Sequence, residues 1–147
     1  MFKAIDRNDT IKVVSVEDPA IDYDKSNVEA YKVAFDTKHL SYIDGEEPTT
    51  FTLGTISFMK FSQIKDKYIS FDLGEKGQEI NTNLFGLTAD MLRHSLKDAE
   101  NLPFPIKHEK GKLSDTTMDK LARLGIVEEL GNIALTLNGF GEEDKKK

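Results

Sequence analysis

The chain has 147 residues, of which 38% are hydrophobic and 31% charged, and its formal net charge is −6. This length suits a single domain with a working core, and the composition argues against wholesale disorder. Because the chain contains no cysteine, disulfide bonds, thiolate nucleophiles and Cys-ligated metal sites are excluded. No apolar run approaches the roughly 20 residues that span a bilayer, and residues 1–10 lack the apolar segment of a secretion signal. We therefore expect a cytosolic protein.

The start of the chain predicts one strand and one short element. Residues 9–16 are dense in β-branched side chains and are followed by Pro19, which predicts a first strand. Residues 28–35 fit a short helix, although residues 31–35 also fit a strand. We predict the helix.

The next part of the chain alternates between strand and helix patterns. A turn is predicted at residues 44–48, where Asp-Gly precedes proline, and a strand at residues 51–56. Apolar residues spaced by three predict a helical turn over 58–64. The period of two in residues 68–73 predicts another half-buried strand, closed by a turn at residues 74–77.

From residue 81 the apolar period becomes helical. We predict a long helix over residues 81–102 that ends at Pro103 and Pro105, because proline removes a backbone donor and restricts the residue before it. The apolar face of this helix recurs at steps of four and three, at Phe85, Ala89, Leu92, Leu96 and Ala99.

Two further helices complete the pattern. A charged loop at residues 107–112 leads to a helix that Ser114 or Asp115 can cap and that Gly125 ends. The last helix, residues 126–137, has the cleanest apolar stripe and is stopped by residues 138–139.

Strands early and helices late predict an α+β fold. We expect a single domain over residues 1–141, with a β-rich part at 9–73 and a part of about three helices at 81–138. Residues 142–147 form a charged tail.

No residue pattern identifies a catalytic, metal or cofactor site. His39, His94 and His108 belong to no metal-binding motif, and the acidic residues between 17 and 24 lack the spacing of a calcium loop. Neither a phosphate-binding glycine loop nor a nucleophile elbow is present. We therefore predict a protein that is not an enzyme and carries no metal and no cofactor.

Nucleic-acid binding has one weak signal. Lysines are interleaved with aromatic residues at Lys60, Lys65, Lys67, Phe58, Phe61 and Tyr68, as in some single-strand binders. The negative net charge disfavours this function, and Phe58 and Phe61 are better explained as core residues.

The stripe of the last helix is the candidate protein interface. Such a stripe must be buried, either in the chain's own core or against a partner, and the sequence leaves both alternatives open. Its residues are Ile126, Val127, Leu130, Ile133 and Leu137.

Four segments carry a resemblance to a known group of proteins. They are residues 46–53 (EEPTTFTL), 91–101 (MLRHSLKDAEN), 113–121 (LSDTTMDKL) and 127–133 (VEELGNI). With the charged end, they resemble small acidic proteins encoded in the structural gene clusters of tailed bacteriophages, which look like tail assembly chaperones or minor tail components.

The resemblance implies a morphogenesis protein that acts by protein–protein contact, most simply a tail assembly chaperone in the host cytoplasm. Its partner would be a phage structural or assembly protein, such as the tape-measure protein or a tail component, or a second copy of itself. The alternatives are a structural component of the tail or head–tail junction within the virion, and a nucleic-acid-binding accessory protein.

Overall fold

A computed structural model describes residues 10–74 and 77–139, with the side chains of residues 10–69 and 83–139. The described strands are β1 (Thr10–Val14), β2 (Thr50–Gly54), β3 (Ile69–Gly74), β4 (Gly77–Thr82), β5 (Leu96–Glu100), β6 (His108–Glu109) and β7 (Lys112–Leu113). The helices are α1 (Val28–Ala34), α2 (Phe58–Tyr68), α3 (Leu84–Ser95), α4 (Asp115–Arg123) and α5 (Val127–Leu137), with a 3-10 turn at Thr37–His39. The predicted α+β class is confirmed.

The largest described sheet has three antiparallel strands in the order β1-β2-β5. β2 lies in the centre, with Val13 of β1 opposite Phe51 and Ala99 of β5 opposite the same residue. Phe51 and Leu53 are buried, because alternate residues of a strand point to the same face. This face packs on the helices α3, α4 and α5 through Leu92, Leu121, Leu130 and their neighbours.

Helices α3 and α5 form the tightest helix pair of the fold. Gly131 of α5 lies against the backbone of Thr88, and a Cβ built on this glycine would be 2.4 Å from the Thr88 carbonyl oxygen. A glycine at the crossing point therefore sets how closely the two helices approach. Around it, Leu87, Met91, Ala134 and Leu135 form a second apolar cluster with Ile64 of α2.

Two hairpins complete the described strands. β3 and β4 pair in register from Ile69 opposite Thr82 to Gly74 opposite Gly77. β6 and β7 are joined by Lys110 and Gly111, whose φ angles are +53° and +80°. Two consecutive residues with positive φ are the mark of a type I′ turn, which matches the twist of an antiparallel pair.

Most predicted elements are confirmed, with shifted ends. α1 is a helix, as predicted, and Phe35 ends it in the left-handed region with a φ of +52°. The predicted helical turn near Phe58 is a helix of 11 residues. Ser114 caps α4 by accepting a hydrogen bond from the Thr117 amide. The expected turn at 74–77 and the charged tail lie partly or wholly outside the described residues.

The long helix predicted over residues 81–102 is wrong at both ends. Residues 81–82 belong to β4, and the helix stops at Ser95, after which Leu96–Glu100 forms β5. The register of β5 shifts beside Leu53, so that Lys97 is an extra residue between Leu96 and Asp98. With this bulge, Leu96 and Ala99 contact the same core although they are three residues apart. A spacing of three therefore predicted a helix where the chain forms a bulged strand.

Two smaller predictions also need correction. The region 107–112, predicted as a loop, contains the β6–β7 hairpin. Phe58 and Phe85, predicted to be core residues, are 78% and 67% exposed. The two phenylalanines are exposed because each lies in the first turn of its helix, beyond the packed part of the α2 and α3 faces.

Candidate functional site

The apolar stripe of α5 lies in the core of the chain itself. Ile126, Val127, Leu130 and Ile133 are each 6% exposed or less, and Leu137 packs against the same cluster while partly buried. The stripe contacts the three-stranded sheet and α3, which is the first of the two alternatives left open by the sequence. Its five residues therefore do not form a free interface in this fold, although Ile133, which is 6% exposed, also lines the recess described next.

A recess runs along the outer side of the same helix. It is a groove of about 580 Å³ between α1 and α5, and the start of α3 also lines it. We name it the α1–α5 groove. Its apolar lining consists of Val16, Tyr31, Val33, Phe35, Leu84 and Ile133, and its polar lining of Lys32, Glu129, Asn132 and Thr136.

Two of the apolar side chains that line this groove are exposed to solvent. Val33 of α1 is 84% exposed, and Leu84 at the start of α3 is also exposed. Phe85, next to Leu84, extends the exposed apolar surface. An apolar surface beside a groove and edged by polar side chains is typical of a site that contacts another polypeptide.

Tyr31 forms the inner wall of the groove and fixes α1 on the sheet. Its hydroxyl donates to the Val14 carbonyl oxygen at 2.6 Å and accepts from the Val14 amide at 2.7 Å. Burial raises the pKa of Tyr31 to about 12, and the hydrogen bond from the Val14 backbone only partly offsets this increase. At neutral pH the Tyr31 hydroxyl is therefore uncharged. Its two hydrogen bonds to Val14 hold this wall of the groove in place.

Glu129 fixes the opposite wall. Its carboxylate accepts hydrogen bonds from the Ser15 hydroxyl at 2.5 Å and from the Val16 amide at 2.8 Å. These bonds hold the segment after β1 against the first turn of α5. Both walls of the groove are thus attached to the end of the same strand, and its shape is preorganised.

A second recess, of about 260 Å³, has an acidic rim. Glu17, Asp18, Glu46 and Glu47 line it above an apolar floor that includes Phe51. The carboxylate of Asp18 already accepts from the Ala20 amide at 2.9 Å and from the Thr49 amide at 2.8 Å. Within residues 10–74 and 77–139, the acidic and histidine side chains form no group suited to a metal ion. The hydrogen bond from Thr49 to Asp18 joins the segment that follows β1 to the start of β2.

Two histidines have structural partners. His94 lies 3.0 Å from the Asp90 carbonyl oxygen through Nδ1, and 3.4 Å from the Asp90 carboxylate. The hydrogen bond from His94 is the main cause of a lowered pKa at Asp90. His108 contacts the Leu96 carbonyl oxygen through Nε2 at 2.9 Å. The described contacts of the His94 ring therefore stay within α3, whereas His108 ties β6 to β5.

No family model, curated protein or solved structure matches this chain. None of the helices within residues 10–74 and 77–139 has both the length and the apolar character needed to cross a bilayer.

Apart from Ile133, the residues that line the groove were missed by sequence reasoning. Val33 lies two positions after the buried Tyr31 in a helix of seven residues, so the two side chains point to different sides. That offset was the available signal that α1 has an apolar residue outside its packed face. The groove itself depends on α5 passing beside α1, which no local pattern encodes.

Proposed function

We propose that this chain is a non-enzymatic assembly protein that acts by protein–protein contact through the α1–α5 groove. The observation that carries the proposal is the exposed Val33 beside a preorganised groove in which Leu84 is also exposed. The groove suits the apolar face of one amphipathic helix, in the mode in which a helix inserts its apolar side chains into a surface groove.

The proposed setting is the assembly of a bacteriophage tail, and it rests on the resemblance of four sequence segments to proteins of phage structural gene clusters. The partner would be a long, aggregation-prone helical protein such as the tape-measure protein, held until tail polymerisation displaces the chain. The alternative is a permanent component of the tail or head–tail junction, which would bury a larger and more apolar surface.

The test co-expresses the chain with the tape-measure protein from its own gene neighbourhood and measures the soluble yield of that partner. We expect the chain to raise this yield and the double variant Val33→Lys, Leu84→Glu to reduce the gain at least tenfold. The variant keeps the net charge and should fold, because both positions are exposed, and each new charge suits its end of the helix.

Exposed apolar residues outside the groove supply the matched control. Ile43→Lys with Met59→Glu introduces the same charges at exposed positions and should leave the yield unchanged. If the control lowers the yield as much as the groove variant, or if no tail gene lies nearby, the proposal fails. Recovery of the chain from purified particles at a fixed copy number would instead establish the virion component.

A further inference from the structure

A third recess, on a different part of the molecule, is lined by basic side chains. It is a solvent-open cleft of about 400 Å³ where the start of α2, the end of α3, β5 and the β6–β7 hairpin meet. We name it the basic cleft. Its ionisable lining residues are Lys60, His94, Lys97, Lys110 and Lys112, and none of its described lining residues carries a carboxylate.

Among the described residues, no ion pair involves a lysine of the basic cleft. Among the described side chains, the ion pairs involve other cations, such as Lys32 with Glu29 and Lys38 with Asp36. Lys97 donates to the His94 carbonyl oxygen at 3.2 Å, a contact that leaves its charge in place. Glu109 lies opposite Lys112 in the β6–β7 pair, and Asp90 contacts His94. Four lysines thus line one cavity, and no described ion pair involves them.

Helix α2 adds to this positive potential. Ser57 lines the cleft and caps the helix by accepting from the Lys60 amide at 3.2 Å. The amides of the first turn of an 11-residue helix carry a partial positive charge that favours an anion.

Two large apolar side chains stand at the same helix start. Phe58 is 78% exposed and Met59 is 67% exposed, directly after the cleft residue Ser57. Phe58 does not line the cleft itself, but an exposed aromatic ring next to lysines is the combination with which proteins bind single-stranded nucleic acid, since the lysines take the phosphates and the ring stacks on a base.

We propose that the basic cleft binds single-stranded nucleic acid, with its phosphates on Lys60, Lys97, Lys110 and Lys112 and a base on Phe58. The net charge of −6 weakens such binding only through the charges near the cleft, because exposed charges farther away than a Debye length of about 8 Å are largely screened at physiological salt. The local charge of the cleft decides the contact, and the average over the chain does not.

The test measures fluorescence anisotropy of a labelled 12-nucleotide oligothymidylate at several salt concentrations. We expect wild-type protein to bind with a log–log salt slope of about −3, as four phosphate contacts predict for a single strand. Lys60→Glu with Lys110→Asn should weaken binding at least tenfold and flatten the slope. Glutamate suits the first turn of a helix, and asparagine suits the first position of a type I′ turn, so this variant should fold.

The matched control carries the same charge change outside the cleft. Lys25→Glu with Lys38→Asn alters exposed positions near α1 and should leave the affinity within twofold of wild type. Phe58→Ala should lower the affinity at least about fivefold with the salt slope unchanged, because stacking depends little on salt.

Four results would overturn the proposal. They are the absence of binding at about 100 µM protein in 50 mM salt, an equal loss in the control, an unchanged affinity in Phe58→Ala, and competition by polyglutamate or tripolyphosphate as strong per charge as by the unlabelled strand. The last result would identify a general anion cleft with no preference for nucleic acid.

Discussion

At Gly131 the backbones of two helices come so close that no side chain fits between them. A Cβ at this position would approach not only the carbonyl oxygen but also the Cβ of Thr88, at 2.8 Å. Neither atom belongs to a flexible side-chain end, so relief requires the helices to separate.

We therefore expect Gly131→Ala to lower the free energy of unfolding by roughly 1–3 kcal/mol, although alanine is the better helix former by about 1 kcal/mol. Urea unfolding followed by circular dichroism measures this. Thr136→Ala, at an exposed position of the same helix, is the control and should be neutral or slightly stabilising. A more stable Gly131→Ala variant would show that α3 and α5 do not pack so closely.

Tyr31 gives a pH-dependent prediction. Removal of its hydroxyl in Tyr31→Phe leaves the buried amide and carbonyl of Val14 without their partner, which should cost about 1–3 kcal/mol at pH 7. The pKa of Tyr31 is raised from its ordinary value of 10.0 to about 12 in the folded state. The contribution of the Tyr31 hydroxyl to the free energy of unfolding is thus complete below pH 10 and is lost as the pH rises from 10 to 12.

The expected loss over this interval is at most about 3 kcal/mol, since one pKa unit corresponds to about 1.4 kcal/mol. Denaturant titrations at pH 7, 10 and 11.5 should show a steeper alkaline decline for wild type than for Tyr31→Phe. Tyr23 and Tyr42 are present in both proteins, so their own titrations cancel in the comparison. Parallel declines would contradict the buried position of the hydroxyl.

At the scale of elements, helices and strands with a regular apolar pattern were predicted well from the sequence, and those with an irregular pattern were predicted poorly. β1, β2 and α5 followed from β-branched density or a continuous apolar stripe, and Ser114 and Gly125 marked real helix boundaries. The strand β5 could not be predicted, because a bulge at Lys97 gives it the spacing of a helix. Whether residues 96–100 continue α3 or pair with β2 is decided by the open edge of β2, which is distant in sequence.

Substitutions at Asp98 distinguish the two structures of this segment. Asp98 is exposed and lies opposite Thr52 on β2. Threonine favours strands and alanine favours helices. We therefore expect Asp98→Thr to be more stable than Asp98→Ala by up to about 1 kcal/mol, measured by urea unfolding. The reverse order would indicate that the helix continues through this position.

At the scale of the whole molecule, the stripe of α5 joins the sheet to the helices. Leu130 is fully buried, and Ile133 is nearly so. Leu130→Asp with Ile133→Asp should unfold the chain, because two unpaired carboxylates would be buried. Loss of the far-ultraviolet helical signal and of a compact elution volume would show this. Thr136→Asp, on the exposed side of the same helix, should keep both. A folded double variant would free the stripe to act as an interface after all.

The candidate sites depend on this same large-scale arrangement. The sequence could name apolar residues on α5, but it could not show that they face inward or that Val33 and Leu84 remain open beside them. Likewise, Lys60 of the basic cleft is 37 residues from Lys97 and 52 residues from Lys112 in the sequence. Only the folded chain brings them to one cavity.

The carboxylate of Glu129 has a consequence for synthesis on the ribosome. It holds the residues that follow β1 across a separation of 113 positions, and β2 obtains its second neighbour only when β5 has been made. The first strand therefore emerges long before the helix that secures it. A nascent chain truncated ahead of α5 should be cut readily by protease after β1, whereas the full-length chain should resist.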